Sequence, residues 1–386
     1  MTAWHIVTGE YPPAHGGVSD YSSAVASALA AAGDTVDVWC PAAAGDRIDV
    51  PGVAVHAIAG MWNPSDLRRI DEALKETPGE KRLLVQWVPH AYGRRSLNVA
   101  FCRWIRRRAR AGDVVDLMVH EPCLAFREGS LRQDAAAAVH RLMAVLLLSG
   151  ARRVWVAIPL WAERLRPWAM GRNVRFCWLP VPSTIPVLAT NGAAARFKAR
   201  VLNRPDGLLL GHFSTYPSAM RSDLRALLPQ LLADLPELQV QLIGRGGEQI
   251  AGELRAVLGT DASRVRASGP LSSGELSCHL QACDLMLQPY QDGASTRRTT
   301  LMAALAHGLP VVTTIGRLSE PFWRHSGAVA AVPAGDFAAV RRMVSELARQ
   351  PERRRRLALA ARETYDNRFS LSHVIDALRT DACGGV

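Results

Sequence analysis

The sequence predicts an α/β protein of two doubly wound parallel-sheet domains facing a cleft. Short apolar or β-branched runs alternate with helical segments from end to end, which is the pattern of repeated βαβ units. A proline-rich break spans residues 180–206, with Pro180, Pro182, Pro186 and Pro205, and the same alternation restarts beyond it. The chain has 386 residues, 48% hydrophobic and 21% charged, enough to bury two separate cores. These observations set a first domain at 1–190 and a second at 191–367.

In the first domain Trp4–Thr8 reads as a strand, followed by the loop GEYPPAHGGVSDY. Gly16 and Gly17 there either let the backbone approach a ligand closely or make an ordinary turn. Ser19 or Asp20 is expected to cap the next helix, which runs to Ala32. Thr35–Cys40, Leu83–Val88, Val114–Val119, Val154–Ile158 and Val174–Leu179 read as further strands. Ligands of open parallel sheets bind outside the carboxyl ends of the strands. His90 and the pair His120–Glu121 fall at that edge. Such a histidine either hydrogen-bonds a sugar hydroxyl, oriented by the glutamate, or is satisfied by a loop carbonyl.

In the second domain Gly207–His212, Leu238–Ile243, Arg264–Ala267, Leu285–Gln288 and Ala328–Val332 read as strands. Helices are expected from Ser222, Glu248 and Ser273, with Glu275 a helix-initiating residue beside an N-cap at Ser273. Arg245, in the turn Gly244–Gly247, either binds phosphate or flanks the turn. The most informative stretch is QPYQDGASTRRTTLMAALAHGLPVVTTIG, residues 288–316. It is a strand–loop–helix–strand unit whose loop feeds a helix N-terminus. Unpaired amides and a partial positive charge suit that terminus to a phosphate. Arg297 and Arg298 in the same turn would let a diphosphate sit there without a metal.

Composition narrows the function classes. The formal net charge is +11, spread over both halves with no basic tail. That fits phosphorylated substrates or an anionic surface better than a nucleic-acid arm, and no nucleic acid is expected as a partner. Seven cysteines without a CxxC pair argue against a disulfide framework or a zinc site and make a reduced, cytoplasmic location the default. The N-terminus lacks a signal-peptide pattern, and the longest apolar run, Ala135–Leu148, reads as a buried helix. Residues 101–110 form a basic amphipathic helix candidate. It either lies on anionic lipid at the inner face of the cytoplasmic membrane or presents a solvated face. The run 351–365 has the same two readings, and lacks the interleaved aromatics that base stacking needs.

The chain resembles the GT-B fold glycosyltransferases, in particular family 4, the retaining, nucleotide-sugar-dependent enzymes. GEYPPAHGGVSDYSSAVASALAAAGDTVDVWCP is similar to that family's N-terminal glycine loop, helix and second strand. LSSGELSCHLQACDLMLQPYQDG and MAALAHGLPVVTT resemble the stretch into its donor site and the helix–strand signature after it. ETYDNRFSLSHVIDAL resembles the C-terminal helix that crosses back to the first domain, which adds 368–386 to domain one. The resemblance implies an acceptor-side first domain and a donor-nucleotide second domain. The family's two donor-site glutamates fall on Ser295 and Ala303, and His212 stands where an arginine is usual. By resemblance the backbone of 296–299 lies against the diphosphate, His120 lies near the transferred sugar, and Gly16 and Gly17 lie on the acceptor side.

These readings converge on a glycosyltransferase that moves a sugar from a nucleoside-diphosphate sugar to a glycan or lipid-linked acceptor. It is expected to need no cofactor and no metal, and to retain anomeric configuration. Catalysis is assigned to His120, Arg297 and Arg298. Donor phosphate binding falls to Arg245, Ser295, Thr296 and Thr299, and the acceptor side to Gly16, Gly17, His90 and Glu121. The alternative is an inactive scaffold of a glycan-assembly cluster, since both glutamates are missing. An epimerase of the same fold ranks third, because Asp292 is the only acid retained in the donor loop.

Overall fold

The computed structural model describes residues 2–43, 50–58, 60–127, 130–202, 204, 206–380 and 383. Pro205 of the proline-rich break lies outside them. The chain divides into two compact units, one comprising residues up to Val181 and from Leu371 on, the other Pro182–Ser370.

The first unit runs β1 (Ala3–Thr8), α1 (Gly17–Ala31), β2 (Thr35–Pro41), β3 (Val53–Ile58), α2 (Pro64–Glu76), β4 (Lys81–Trp87), α3 (Val99–Arg110), β5 (Val114–Val119), α4 (Leu131–Leu148), β6 (Arg153–Val156), α5 (Pro159–Leu165) and β7 (Arg175–Trp178). Its sheet is parallel throughout, in the order β3-β2-β1-β4-β5-β6-β7. Strand order reverses at β1, and the loops after β1, β4 and β5 leave the same carboxyl edge there. Strands β1, β4 and β5 are buried almost continuously, as strands covered by helices on both faces must be. Edge strand β3 was not anticipated from sequence. It is half-exposed and its apolar run is broken by His56, so it shows neither a continuous run nor a clean alternation.

Helix α3 is amphipathic as read, but its apolar side is already used. Phe101, Cys102, Trp104 and Ile105 are fully buried, with Phe101 against Tyr92 and Trp62. Trp104 Nε1 donates to Asp71 (2.7 Å), while Arg107 and Arg108 pair with Asp71 and Asp113. The apolar side of 101–110 is therefore core, and Arg103 and Arg110 are exposed cations on the other side. Among the described residues no helix is long and apolar enough to cross a membrane.

The second unit runs α6 (Ala193–Val201), β8 (Leu208–Phe213), α7 (Ser218–Asp234), β9 (Leu238–Ile243), α8 (Gly247–Leu258), β10 (Val265–Ala267), α9 (Ser273–Ala282), β11 (Leu285–Gln288), α10 (Thr299–Ala306), β12 (Val311–Ile315), α11 (Phe322–His325), β13 (Ala330–Pro333), α12 (Phe337–Arg349) and α13 (Pro351–Arg368). Its parallel sheet has the order β10-β9-β8-β11-β12-β13. Leucines of α7, β8, β9 and β11 contribute to its core. The N-cap of α9 is Ser272, one residue before the expected one, in a reciprocal capping box with Glu275. The arginine run of α13 is a solvated face: Arg353 pairs with Glu346, Arg355 with Glu352 and Arg362 with Asp366.

The last helix, α14 (Leu371–Thr380), returns to the first unit and packs on α1. Buried Asp34 secures it, accepting from the Thr2 amide (2.9 Å), Trp4 Nε1 (3.3 Å) and Arg379 Nε (3.0 Å). Beyond it Cys383 forms a disulfide with Cys177 of β7, the two Cα atoms 5.2 Å apart and 206 residues apart in sequence. The sequence argues against a disulfide framework, and among the described residues the other five cysteines form no disulfide. The return of the chain makes the pair, and spacing along the sequence does not reveal it. Substituting Asp34→Ala leaves three donors without their acceptor and is expected to cost about 2–3 kcal/mol, read by urea unfolding at neutral pH.

Candidate functional site

At the carboxyl edge of the first sheet β1 ends at Thr8 and Gly9 follows. A Cβ on Gly9 would lie 2.2 Å from Ala91 Cβ, so glycine is what seats this loop against the turn Pro89–Ala91 that carries His90. Glu10 then reaches forward to the helix after it, accepting from the amides of Val18 and Ser19, both at 3.1 Å. Glu10 supplies the cap that was expected from Ser19 or Asp20. Ser19 instead sits buried inside α1 and donates to Ala14 O (2.6 Å). Gly16 occupies the N-cap position with extended backbone. A Cβ there would lie 2.3 Å from Glu10 Oε1 and would displace the capping carboxylate. A Cβ on Gly17 would meet nothing within 4 Å.

His120 follows β5 directly and is 9% exposed. Its Nε2 lies 2.9 Å from Gln86 Oε1, and Tyr21 of α1 meets the ring edge-on at 5.0 Å. Its carbonyl accepts from Trp161 Nε1 (2.8 Å), which fixes the backbone. Burial lowers the His120 pKa to about 3, so the ring is neutral at physiological pH. With Gln86 Oε1 as partner, Nε2 carries the hydrogen and Nδ1 remains an acceptor. His90 and Glu121 stand at the same edge, His90 Nδ1 4.0 Å from Glu121 Oε2, both exposed. Thus the structure gathers His90, His120, Glu121 and the Gly16–Gly17 loop at one edge. Sequence reading missed Glu10, Gln86 and Tyr21, which position them. Glu10 carried a usable signal, an acid directly after a strand and before a glycine loop.

In the second unit the loop after β11 is clamped from behind. Gly293 has φ of 89°, and a Cβ there would lie 2.2 Å from the Gly316 amide nitrogen. Gly316 in turn has no room for a Cβ against the Asp292 backbone. These glycines let the β11 and β12 loops touch, joined by Ala294 N–Thr314 O (2.7 Å) and Leu318 N–Asp292 O (2.9 Å). Beneath them lies Glu320, 5% exposed, absent from the sequence-derived set. It accepts from the Thr296 amide (3.0 Å), the Thr296 hydroxyl (2.5 Å) and Trp323 Nε1 (2.6 Å). Burial raises its carboxyl above the usual range, while these donors oppose the rise.

This arrangement sorts the predicted donor residues. Thr296 gives both its amide and its hydroxyl to Glu320 and is fully buried. Ser295 is fully buried, as is Ala303 inside α10. Arg297, Arg298 and Thr299 are half-buried at the start of α10. Both arginines contact Asp292: Arg297 Nη2 lies 2.8 Å from Oδ2, and Arg298 Nη2 reaches Oδ1. Arg298 also stacks over Tyr290, 4.8 Å from the ring centre. The loop therefore places two guanidiniums on one carboxylate. Arg245 lies in a separate turn after β9, exposed and without an ion pair among the described residues. His212 is 1% exposed and neither ring nitrogen has a partner, and burial lowers its pKa to about 3.

Two doubly wound sheets, with a C-terminal helix returned to the first, are the architecture of the GT-B fold. Residues 204–350 match the family model described as Glycosyl transferases group 1. A phosphatidyl-myo-inositol mannosyltransferase of Mycobacterium leprae is 24% identical, over 96% of this chain and 94% of the relative. Among solved structures, sucrose-phosphate synthase from Thermosynechococcus elongatus superposes with a TM-score of 0.70 at 17% identity, covering 98% of each chain. Anabaena HepE in complex with UDP and glucose gives 0.70 at 14% identity over 99% of each. The chain has the GT-B fold and carries a glycosyl transferases group 1 domain at residues 204–350.

Two pH responses follow. Unfolded histidines take up protons near pH 6.5, whereas native His120 and His212 refuse them down to about pH 3. Their contribution is complete above pH 6.5 and is lost as pH falls, with a slope of about 1.4 kcal/mol per pH unit for each. Urea unfolding from pH 7 to pH 4 measures it, and His212→Gln should flatten the slope. Glu320 has the opposite sign: its raised carboxyl favours the native state below the unfolded value near 4.5, an advantage lost as pH rises through the native value. Glu320→Ala strands three donors and should lower neutral-pH stability by about 1–3 kcal/mol.

Proposed function

We propose that the chain transfers a hexosyl group from a nucleoside-diphosphate sugar to a lipid-linked or glycan acceptor, without a metal and with retention of configuration. One observation carries this reading. The turn at the carboxyl edge of the second sheet presents Arg297 and Arg298, held by Asp292, at the start of α10, within the part of the chain that matches group 1. A departing nucleoside diphosphate gathers charge on its β-phosphate. Guanidiniums already fixed in place stabilise that charge without reorganising. The amides that begin α10 add to this; Thr296 does not, being committed to Glu320.

On this reading the second unit binds the donor and the first binds the acceptor. His120 acts as a neutral hydrogen-bonding group: Nδ1 accepts from a sugar hydroxyl while Gln86 holds the ring. His90 and Glu121, exposed beside it, contact the acceptor. Gly16 and Gly17 lie on the acceptor side of this edge. Ser295 and Ala303, buried and uncharged, leave the sugar and ribose to other groups. The relative named as a phosphatidyl-myo-inositol mannosyltransferase supports mannose as first donor and an inositol phospholipid as first acceptor to try. Contact with an anionic bilayer, if made through α3, uses charge alone, because its apolar side is core.

The assay is transfer of labelled mannose from its nucleoside diphosphate to phosphatidylinositol vesicles, with other nucleotide sugars in parallel. Arg297→Ala with Arg298→Ala should lower turnover by about 10²–10³-fold per lost donor. His120→Ala should lower it less, with a rise in KM for the acceptor. Unchanged turnover in the double variant would remove the assignment.

A further inference from the structure

Outside the donor loop, the second unit has a cavity of about 700 Å³ at the edge strand β10, within the size range of small-ligand sites. Arg200 of α6, Arg255 of α8 and Arg266 of β10 line it, and no acid does. None of the three has an ion pair among the described residues. The acids nearest in sequence are committed elsewhere: Asp261 to Arg264, Glu253 to Arg221 and Arg225, and Glu275 to the cap of α9. Three exposed guanidiniums lining one cavity without a carboxylate suit an anion, and their planar forks match phosphate oxygens.

The remaining lining adds shape to the charge. Phe197 and His279 stack at 4.1 Å and form an aromatic wall. His279 Nδ1 is buried without a partner, and Gln241, 2% exposed, brings a buried amide to the lining. The wall is held in place, since Lys198 of α6 pairs with Asp284 at 2.5 Å. Ser268, also in the lining, accepts from the Gly244 amide (3.2 Å), which ties the cavity to the turn that carries Arg245.

We propose that this cavity binds a small organic phosphate, its phosphate on Arg200, Arg255 and Arg266 and its ring against the Phe197–His279 wall. The site is separate from the Arg297–Arg298 loop and does not depend on the donor reading. An extended acidic peptide along the β10 edge fits less well, because the aromatic wall asks for a ring.

The test is calorimetry with AMP, inorganic pyrophosphate and inorganic phosphate, in an Arg297→Ala/Arg298→Ala background that silences the donor loop. AMP is expected to bind in that background, at least ten-fold more tightly than inorganic phosphate. Adding Arg255→Ala and Arg266→Ala should weaken AMP at least ten-fold, with melting curves confirming an intact fold. Phe197→Leu should weaken AMP but not pyrophosphate. The proposal is overturned if the background variant binds no AMP, if the added arginine substitutions leave AMP affinity unchanged, or if AMP and inorganic phosphate bind equally. Capture of an acidic peptide without AMP binding overturns it as well.

Discussion

The carboxylate of Glu320 is the point on which the candidate donor site is built. A buried acid with three donors around it fixes the Thr296 backbone, and Thr296 is where the β11 loop turns toward α10. The glycines at 293 and 316 let the two loops approach closely enough for that carboxylate to reach. The position of Arg297 and Arg298 is therefore set from below, by buried groups. Such support is what electrostatic preorganisation requires, because a charge that must first be moved into place stabilises less.

Charge pairing gives the same lesson elsewhere. An arginine-rich chain with a net charge of +11 might be read as uniformly cationic. Instead most arginines on α3 and α13 are paired or spread over a solvated face. Among the described residues Arg200, Arg255 and Arg266 of the β10 cavity have no ion pair, while Arg297 and Arg298 share Asp292. The informative quantity is which arginines lack a carboxylate, and total charge does not report it.

Much of the fold was legible because parallel strands covered on both faces write themselves as apolar runs. VVDLMV, LQVQLI and LMLQ were placed at their observed bounds for that reason. Edge strand β3, with one half-exposed face and His56 in its middle, had no such signature. Position along the sheet edge was also legible, so His90, His120 and Arg297–Arg298 fell at strand ends. What they touch was not. Gln86 is 34 residues from His120, Glu320 is 24 from Thr296, and Cys177 is 206 from Cys383. Nothing in local pattern links residues so far apart. The amphipathic pattern of α3 was real, but the pattern does not say whether the apolar side meets lipid or protein.

The return of α14 gives the two units different histories on the ribosome. Unit two is contiguous, 182–370, and can complete its core once that stretch has emerged. Unit one is translated first but completed last. Asp34 waits for Arg379, and Cys177 for Cys383, until more than 200 further residues have been made. Through that interval the α1 surface that α14 covers is open. The earliest part of the chain thus depends on the latest for closure, and the unit read here as acceptor-binding matures after its partner.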